Sequence, residues 1–282
     1  KIALYVKDLL PNAKLVLYFL DDSYTYKASS KSIFDVTHRF FLRKTLDRLV
    51  SQSSDLFVIS SKMKKEYDSL LKRQTILLTK GVRTNELIQY PSSSNDIIKL
   101  LYVGNLEYGR LEELMYLAQH VNEANQKYDN PIQFDIFTQT ELPENTIEQF
   151  NSQKNCKINK AIPYSQVKCL QAKYDILLYV ESFKNKNVRA TRLSFSTKAT
   201  DYLSSGKPIW AIGPEDIASI EYFKMNKCAL VTSSRNNISE DLVNILKYPD
   251  SLKDYITNAI ECCKLFHDEE IISQRFMDVL EK

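Results

Sequence analysis

Glycine is scarce in this chain: five residues in 282, at positions 81, 104, 109, 206 and 213. None lies in a GxGxxG or Walker A pattern, so the sequence lacks the motifs of dinucleotide and P-loop sites. Histidine is rarer still. His38, His120 and His267 have no second ligand at metal spacing, and no protein-held metal is expected. The five cysteines (156, 169, 228, 262 and 263) are odd in number and form no CxxC. Cys156, Cys169 and Cys228 lie in or beside apolar segments that read as core. This fits a reducing compartment better than a disulfide framework. No apolar run approaches the roughly eighteen residues of a membrane span. The start, Lys1-Ile2-Ala3-Leu4-Tyr5-Val6, is too short before charge to be a signal peptide. The first residue is not Met, and the chain reads as a piece of a longer one.

Charge is uneven although the net is only +3. Residues 1–95 carry +7 and residues 96–282 carry −4. A basic first part suits an anionic partner surface. It falls short of a nucleic-acid-binding profile, and no such motif accompanies it.

With 44% apolar residues the chain can build a real core. Residues 13–20 (AKLVLYFL), 56–60 (LFVIS) and 75–79 (TILLT) read as strands, with helices over 36–50 and 62–71. A polar stretch at 91–96 (PSSSND) is the best linker. Beyond it strands are expected at 97–103, 133–137, 157–159, 174–180, 208–212 and 229–232. Helices are expected between them and near 238–247 and 251–281, the last one broken. This alternation is the signature of parallel sheets covered by helices. The second part alone has enough units for a doubly wound sheet. The first shows three strands and reads as incomplete.

Gly104 follows the strand 97–103, where open α/β sheets bind ligands. Gly206 sits where a helix cap belongs, after 197–204. Within Ser194-Phe195-Ser196-Thr197-Lys198-Ala199-Thr200-Asp201, the hydroxyl residues read as N-caps. Lys198 then lies in the first turn, where a cation opposes the helix dipole unless an anion binds there. Asp201, three residues on, shares its face. The pair fits either an ordinary surface ion pair or a nucleotide diphosphate site, with the carboxylate taking two sugar hydroxyls.

The segment 196–209 (STKATDYLSSGKPI) resembles the donor-site segment of the group 1 (family 4) glycosyltransferases of the GT-B type. So do 100–114 (LLYVGNL…RLEEL), 161–178 (AIPYSQV…YDILL) and Gly81-Val82-Arg83. The resemblance implies an α/β, GT-B-like fold with two Rossmann-like domains. These would be a partial acceptor-side domain over 1–95, a donor-binding domain over 96–265, and a final helix over 266–282 that packs back on the first. It implies transfer of a hexose-type sugar from a nucleotide-diphosphate donor to a carbohydrate or lipid-linked acceptor, in bacterial polysaccharide or glycoconjugate synthesis. Retention of configuration and no cofactor or metal beyond the donor would go with it.

Residue by residue, the resemblance implies that Gly104 and Asn105 line the donor diphosphate or sugar. Arg110 and Lys198 would pair with the diphosphate, and Ser196 and Thr197 would offer it hydroxyls or amides. Asp201 would hold the ribose, where the family more often has Glu. Ile162, Pro163 and Tyr164 would contact the base. Arg110 also reads as a solvated helix-start arginine, and Tyr164 as a half-buried tyrosine. Two departures stand out. The family's E-x7-E pattern fails, because Leu193 stands eight positions before Asp201. The nearest earlier acid is Glu181, across a long basic loop, and it is the candidate for the donor sugar. Where the family often has a histidine, this chain has Asp21 and Asp22, the acceptor-side candidates. These departures leave open a non-catalytic GT-B module that supports a partner enzyme. A cytoplasmic location is expected. The basic helix 36–50 reads either as packed on its own sheet or as resting on the acidic inner face of the plasma membrane.

Overall fold

A computed structural model describes residues 2–25, 33–84, 97–128 and 131–281. The 91–96 linker expectation lies outside them. The first unit runs α1 (Ile2–Leu9), β1 (Val16–Phe19), α2 (Ile33–Gln52), β2 (Asp55–Val58), α3 (Ser61–Leu71) and β3 (Ile76–Leu77). Its strands are parallel in the order β1-β2-β3. Ser60 opens α3 by accepting the Met63 N–H at 3.0 Å, the N-cap its hydroxyl suits.

The second unit begins with β4 (Ile98–Val103), α4 (Arg110–Lys127), β5 (Ile132–Thr138), α5 (Glu144–Asn151), β6 (Cys156–Lys160) and α6 (Tyr164–Gln171). It continues with β7 (Ile176–Val180), α7 (Asn185–Thr191), α8 (Thr197–Leu203), β8 (Ile209–Ile212), α9 (Ala218–Met225) and β9 (Leu230–Thr232). The six strands are all parallel, in the order β6-β5-β4-β7-β8-β9. Helices cover both faces, so β7 (ILLYV) and β8 (IWAI) are buried along their whole length, and their sequences are unbroken apolar runs. The order reverses between β4 and β7. That switch point opens a crevice beyond their carboxyl ends, where such sheets bind ligands.

Three helices complete the chain: α10 (Ile238–Lys247), α11 (Lys253–Phe266) and α12 (Glu269–Leu280). The expected break falls at His267-Asp268, where Asp268 caps α12. Helix α12 packs Ile272 and Val279 against Phe57 and Leu78 of the first unit, and Phe276 lies 5.6 Å from the Phe57 ring. Val82 meets this corner through two backbone bonds, donating to His267 at 2.8 Å and accepting from Glu269 at 2.9 Å. Ser60 donates to the Leu193 carbonyl at 2.6 Å, and Arg192 pairs with Glu66, so the units also meet along their facing loops.

Some expectations need correction. The stretch after β7 is not simply a long loop, because residues 185–191 form α7. With Val188 as its one large apolar residue, α7 has no hydrophobic stripe to reveal it. Residues 2–9, read only as too short for a leader, form α1. Cys169 is exposed rather than core: it lies on α6, where Gln171 alone is buried. Cys156 and Cys228 are buried as expected. Among the described residues no helix is long and apolar enough to cross a membrane.

Candidate functional site

Four of the sequence candidates gather at the switch point. Gly104 follows β4, with φ at +150°. Asn105 comes next, and Arg110 begins α4. Glu181 follows β7 and is almost wholly buried. Arg110 donates to both Glu181 carboxylate oxygens, at 2.9 and 3.1 Å, and to Asn105 Oδ1 at 2.7 Å. Burial opposes the Arg110 charge, yet Glu181 holds its pKa above the ordinary value. Arg110 is therefore not a solvated helix-start residue. It is a fixed cation, only 13% exposed, with its carboxylate partner 5% exposed.

Lys198 reaches the same place from α8. Its Nζ lies 4.1 Å from the centre of the Tyr102 ring, a cation–π contact. A Cβ added at Gly104 would stand 2.5 Å from that Nζ, so glycine at 104 makes room for the lysine. Burial drives the Lys198 ammonium down to about 7, and the Arg110 charge adds to this while Glu181 acts against it. Ser196 is the N-cap of α8 and accepts from the Lys198 N–H at 3.3 Å. Thr197, the first residue of the helix, is exposed. Ser194 is not a cap: its hydroxyl donates to Asp21 at 2.7 Å.

Asp201 does not pair with Lys198. Its Oδ1 takes the ammonium of Lys80 from the first unit, and the Tyr164 hydroxyl lies 3.5 Å away. Lys80 also donates to that hydroxyl at 3.0 Å. Lys80 thus bridges Asp201 and the Tyr164 hydroxyl. Tyr164 is not half-buried but 72% exposed, and Ile162 and Pro163 precede it, with Pro163 exposed as the N-cap of α6.

The acceptor-side candidates differ from each other. Asp22 is buried and accepts from the Tyr24 and Thr25 N–H groups at 3.1 and 2.7 Å, from the Tyr67 hydroxyl at 3.1 Å and from the Thr25 hydroxyl. It fixes the loop after β1. Asp21 is exposed and faces Ser194 across the two units.

Sequence reasoning missed Lys80 and Tyr102. A basic residue directly after the strand at 75–79 was the available signal for Lys80. Tyr102, an aromatic within the apolar run of β4, read only as core. It also missed Ser182 and Asn187, which crowd Gly109: a Cβ there would stand 2.7 Å from Ser182 Oγ. Gly109 has φ +78°, a left-handed conformation that favours glycine. Among the described residues no group of three or more His, Cys, Asp or Glu side chains is placed to hold a metal ion.

No protein-family model and no curated protein sequence matches the chain. Solved structures resemble it along nearly its whole length. A TarM variant from S. aureus, solved with fondaparinux, α-GlcNAc-glycerol and UDP, has a TM-score of 0.69 at 10% identity, over 96% of this chain and 51% of its own. Sucrose-phosphate synthase from Thermosynechococcus elongatus has a TM-score of 0.69 at 11% identity, over 99% of this chain and 70% of its own. An α,α-trehalose-phosphate synthase (UDP-forming) from Burkholderia vietnamiensis has a TM-score of 0.67 at 9% identity, over 99% and 69%. This chain thus spans about half the length of TarM. At such identities the likeness is one of fold, and that fold is the GT-B fold of the glycosyltransferases, with parallel α/β sheets of three and six strands.

Proposed function

We propose that the chain is the donor-binding part of a glycosyltransferase that moves a hexose-type sugar from a nucleotide diphosphate to a carbohydrate or lipid-linked acceptor. One observation carries this reading: Lys198 and the Arg110–Glu181 pair converge beyond the carboxyl ends of β4 and β7. A half-buried amine whose charge is disfavoured beside Arg110 is a place where an anion is welcome. An arriving diphosphate restores its charge.

In the proposed reaction the bond between the sugar and the diphosphate breaks, and negative charge grows on the leaving phosphate oxygen. Lys198 and Arg110 neutralise it from fixed positions in a partly dry site. The Gly104 and Asn105 backbone and the start of α8 at Ser196 and Thr197 line the phosphates. Asp201 takes the ribose hydroxyls, and Ile162, Pro163 and Tyr164 flank the base. Glu181 holds Arg110 and faces the donor sugar. Asp21 is the better acceptor-side acid, since Asp22 spends its carboxylate on its own loop. The reaction retains configuration and uses no metal, and product leaves as the two units part. By analogy of fold, the setting is a bacterial cytoplasm.

The membrane-side proposal concerns α2. Phe40, Phe41 and Leu42 are each more than half exposed. Its basic residues are partly committed within the protein: Arg43 lies over the Tyr24 ring and pairs with Asp47, and Arg48 pairs with Asp8. A peripheral contact would rest on the aromatics. Sedimentation with acidic liposomes at low salt tests it, and no binding removes it.

The test of the main reading is calorimetric titration with UDP, GDP and their hexose conjugates, without metal. Micromolar binding of one nucleotide, weakened at least tenfold by Lys198→Ala, is expected. Full affinity in that variant would refute the site. A second reading, a non-catalytic supporting module, is favoured by Leu193: it is fully buried where the family has its first glutamate. Binding without transfer or donor hydrolysis would select it.

A further inference from the structure

Asp201 and Lys80 lie 121 positions apart in sequence, in different units, and are joined by an ion pair. Side-chain exposures of 29% for Lys80 and 25% for Asp201 make the pair half-buried rather than freely solvated. Tyr164 completes the cluster, its hydroxyl reaching both Lys80 and Asp201 and its ring centre 5.3 Å from the Lys80 ammonium. The Lys80 pKa is raised: burial opposes the charge, but Asp201 and Tyr164 outweigh it.

A carboxylate that grips the two neighbouring hydroxyls of a ribose uses both its oxygens, one for each O–H donor. In this structure Oδ1 of Asp201 already accepts from Lys80. We propose that Lys80 is a latch on the nucleoside subsite: it occupies the ribose-binding carboxylate of Asp201 until ribose hydroxyls displace it. The inference rests on the donor-site reading given above and names a residue of the first unit as the regulator of a site in the second.

The backbone supports a side-chain switch. Val82, two residues after Lys80, is bonded on both sides to the corner between α11 and α12, and Val82 and Asp268 form an isolated β-bridge. The main chain at this point is tied, while the four-carbon stem of the lysine can swing. Displacing the ammonium removes an ion pair between the two units, so filling the nucleoside subsite loosens their contact there. The contact is worth little in absolute terms, as expected for a partly exposed pair. The latch therefore tunes affinity rather than closing the site.

The experiment compares the wild-type chain with Lys80→Ala and Lys80→Met by calorimetry. The probes are UDP, GDP, the 2′,3′-dideoxy form of whichever binds, and inorganic pyrophosphate. Two variants guard against one that folds poorly, and circular dichroism checks both. The expected result is a gain in affinity of about two- to fivefold for the ribose-bearing nucleotide. Affinity for the dideoxy nucleotide and for pyrophosphate stays unchanged. Binding seen only in the variants counts the same way. If the nucleotide binds wild type and variants equally, or binds the variants more weakly, the latch is overturned and the donor site stands. An equal gain on pyrophosphate or the dideoxy form also overturns it, since the ammonium would then act on the phosphates and not on the ribose. If neither UDP nor GDP binds any of the three proteins, the donor-site reading fails and takes the latch with it.

Discussion

Arg110 holds Glu181 through one guanidinium nitrogen that reaches both carboxylate oxygens, at 2.9 and 3.1 Å, with both side chains largely out of water. Removing one member of such a pair strands the other. Arg110→Ala should therefore destabilise the fold by about 3–5 kcal/mol. Arg110→Met with Glu181→Leu replaces both charges by apolar groups and should recover most of that loss. Nucleotide affinity should not recover with it, because the diphosphate has lost a cation. Chemical denaturation and calorimetry on the same proteins separate the two effects. Restored binding in the double variant would mean that the pair serves structure alone.

Lys198 gives a pH signature. Burial and Arg110 hold its free pKa at about 7, and a bound diphosphate raises it again. At pH 8 about nine-tenths of the empty sites carry a neutral amine, so binding takes up close to one proton. Affinity should fall by up to about tenfold per pH unit above 7. Titrations in buffers of different ionisation enthalpy read the proton directly, and Lys198→Met should abolish the uptake. The folding side has its own sign. An unfolded lysine has its ordinary pKa of 10.5, so the unfolded chain binds more protons between 7 and 10.5. The stability owed to this group is lowest below pH 7 and rises with pH. Lys198→Met should melt higher than wild type at neutral pH while losing nucleotide.

Gly104 and Lys198 make one fit. Alanine at 104 would place its Cβ 2.5 Å from the lysine Nζ, on a backbone with φ at +150°. Gly104→Ala should cost about 1–3 kcal/mol of stability from backbone strain. It should also push Lys198 off the Tyr102 ring and weaken nucleotide binding at least tenfold. Wild-type affinity in this variant would show that the lysine does not act from beneath Gly104.

The sheet was readable in the sequence because buried parallel strands are unbroken apolar runs, as at 176–180 and 209–212. The position of Gly104 at a strand end, in a chain so poor in glycine, pointed to the crevice before any side chain was placed. Spacing also put Lys198 and Asp201 on one helical face. It could not show that they turn to different partners, Lys198 to Tyr102 and Asp201 to Lys80, because those contacts join residues roughly a hundred positions apart. Arg110 and Glu181 were each singled out, but their pairing depends on the strand order, which brings β7 beside β4. Helix α7 escaped notice since NKNVRAT has no apolar periodicity.

His267 showed only that it lacked a metal partner. In the structure it joins the two units: Thr79 of the first lies 2.9 Å from Nδ1, and Tyr222 of the second lies 2.9 Å from Nε2. The ring is buried and stacks on Phe195 at 5.9 Å. Burial, with some help from Arg275, lowers its pKa to about 4. In the neutral ring one nitrogen accepts while the other donates; protonation makes both donate, so one hydroxyl partner must turn from donor to acceptor while a charge enters a dry site. Unfolded histidine titrates near 6.5, so the unfolded chain binds more protons between pH 6.5 and 4. The stability tied to this group is complete above 6.5 and is lost as pH falls through that window. The shift corresponds to roughly 3 kcal/mol. Denaturation of wild type and His267→Gln at steps from pH 7.5 to 4 isolates it, since the carboxylates titrate alike in both. The gap in stability between the two should shrink steadily over that window. A gap independent of pH would mean that the ring titrates in the folded protein as it does in the unfolded chain, near 6.5.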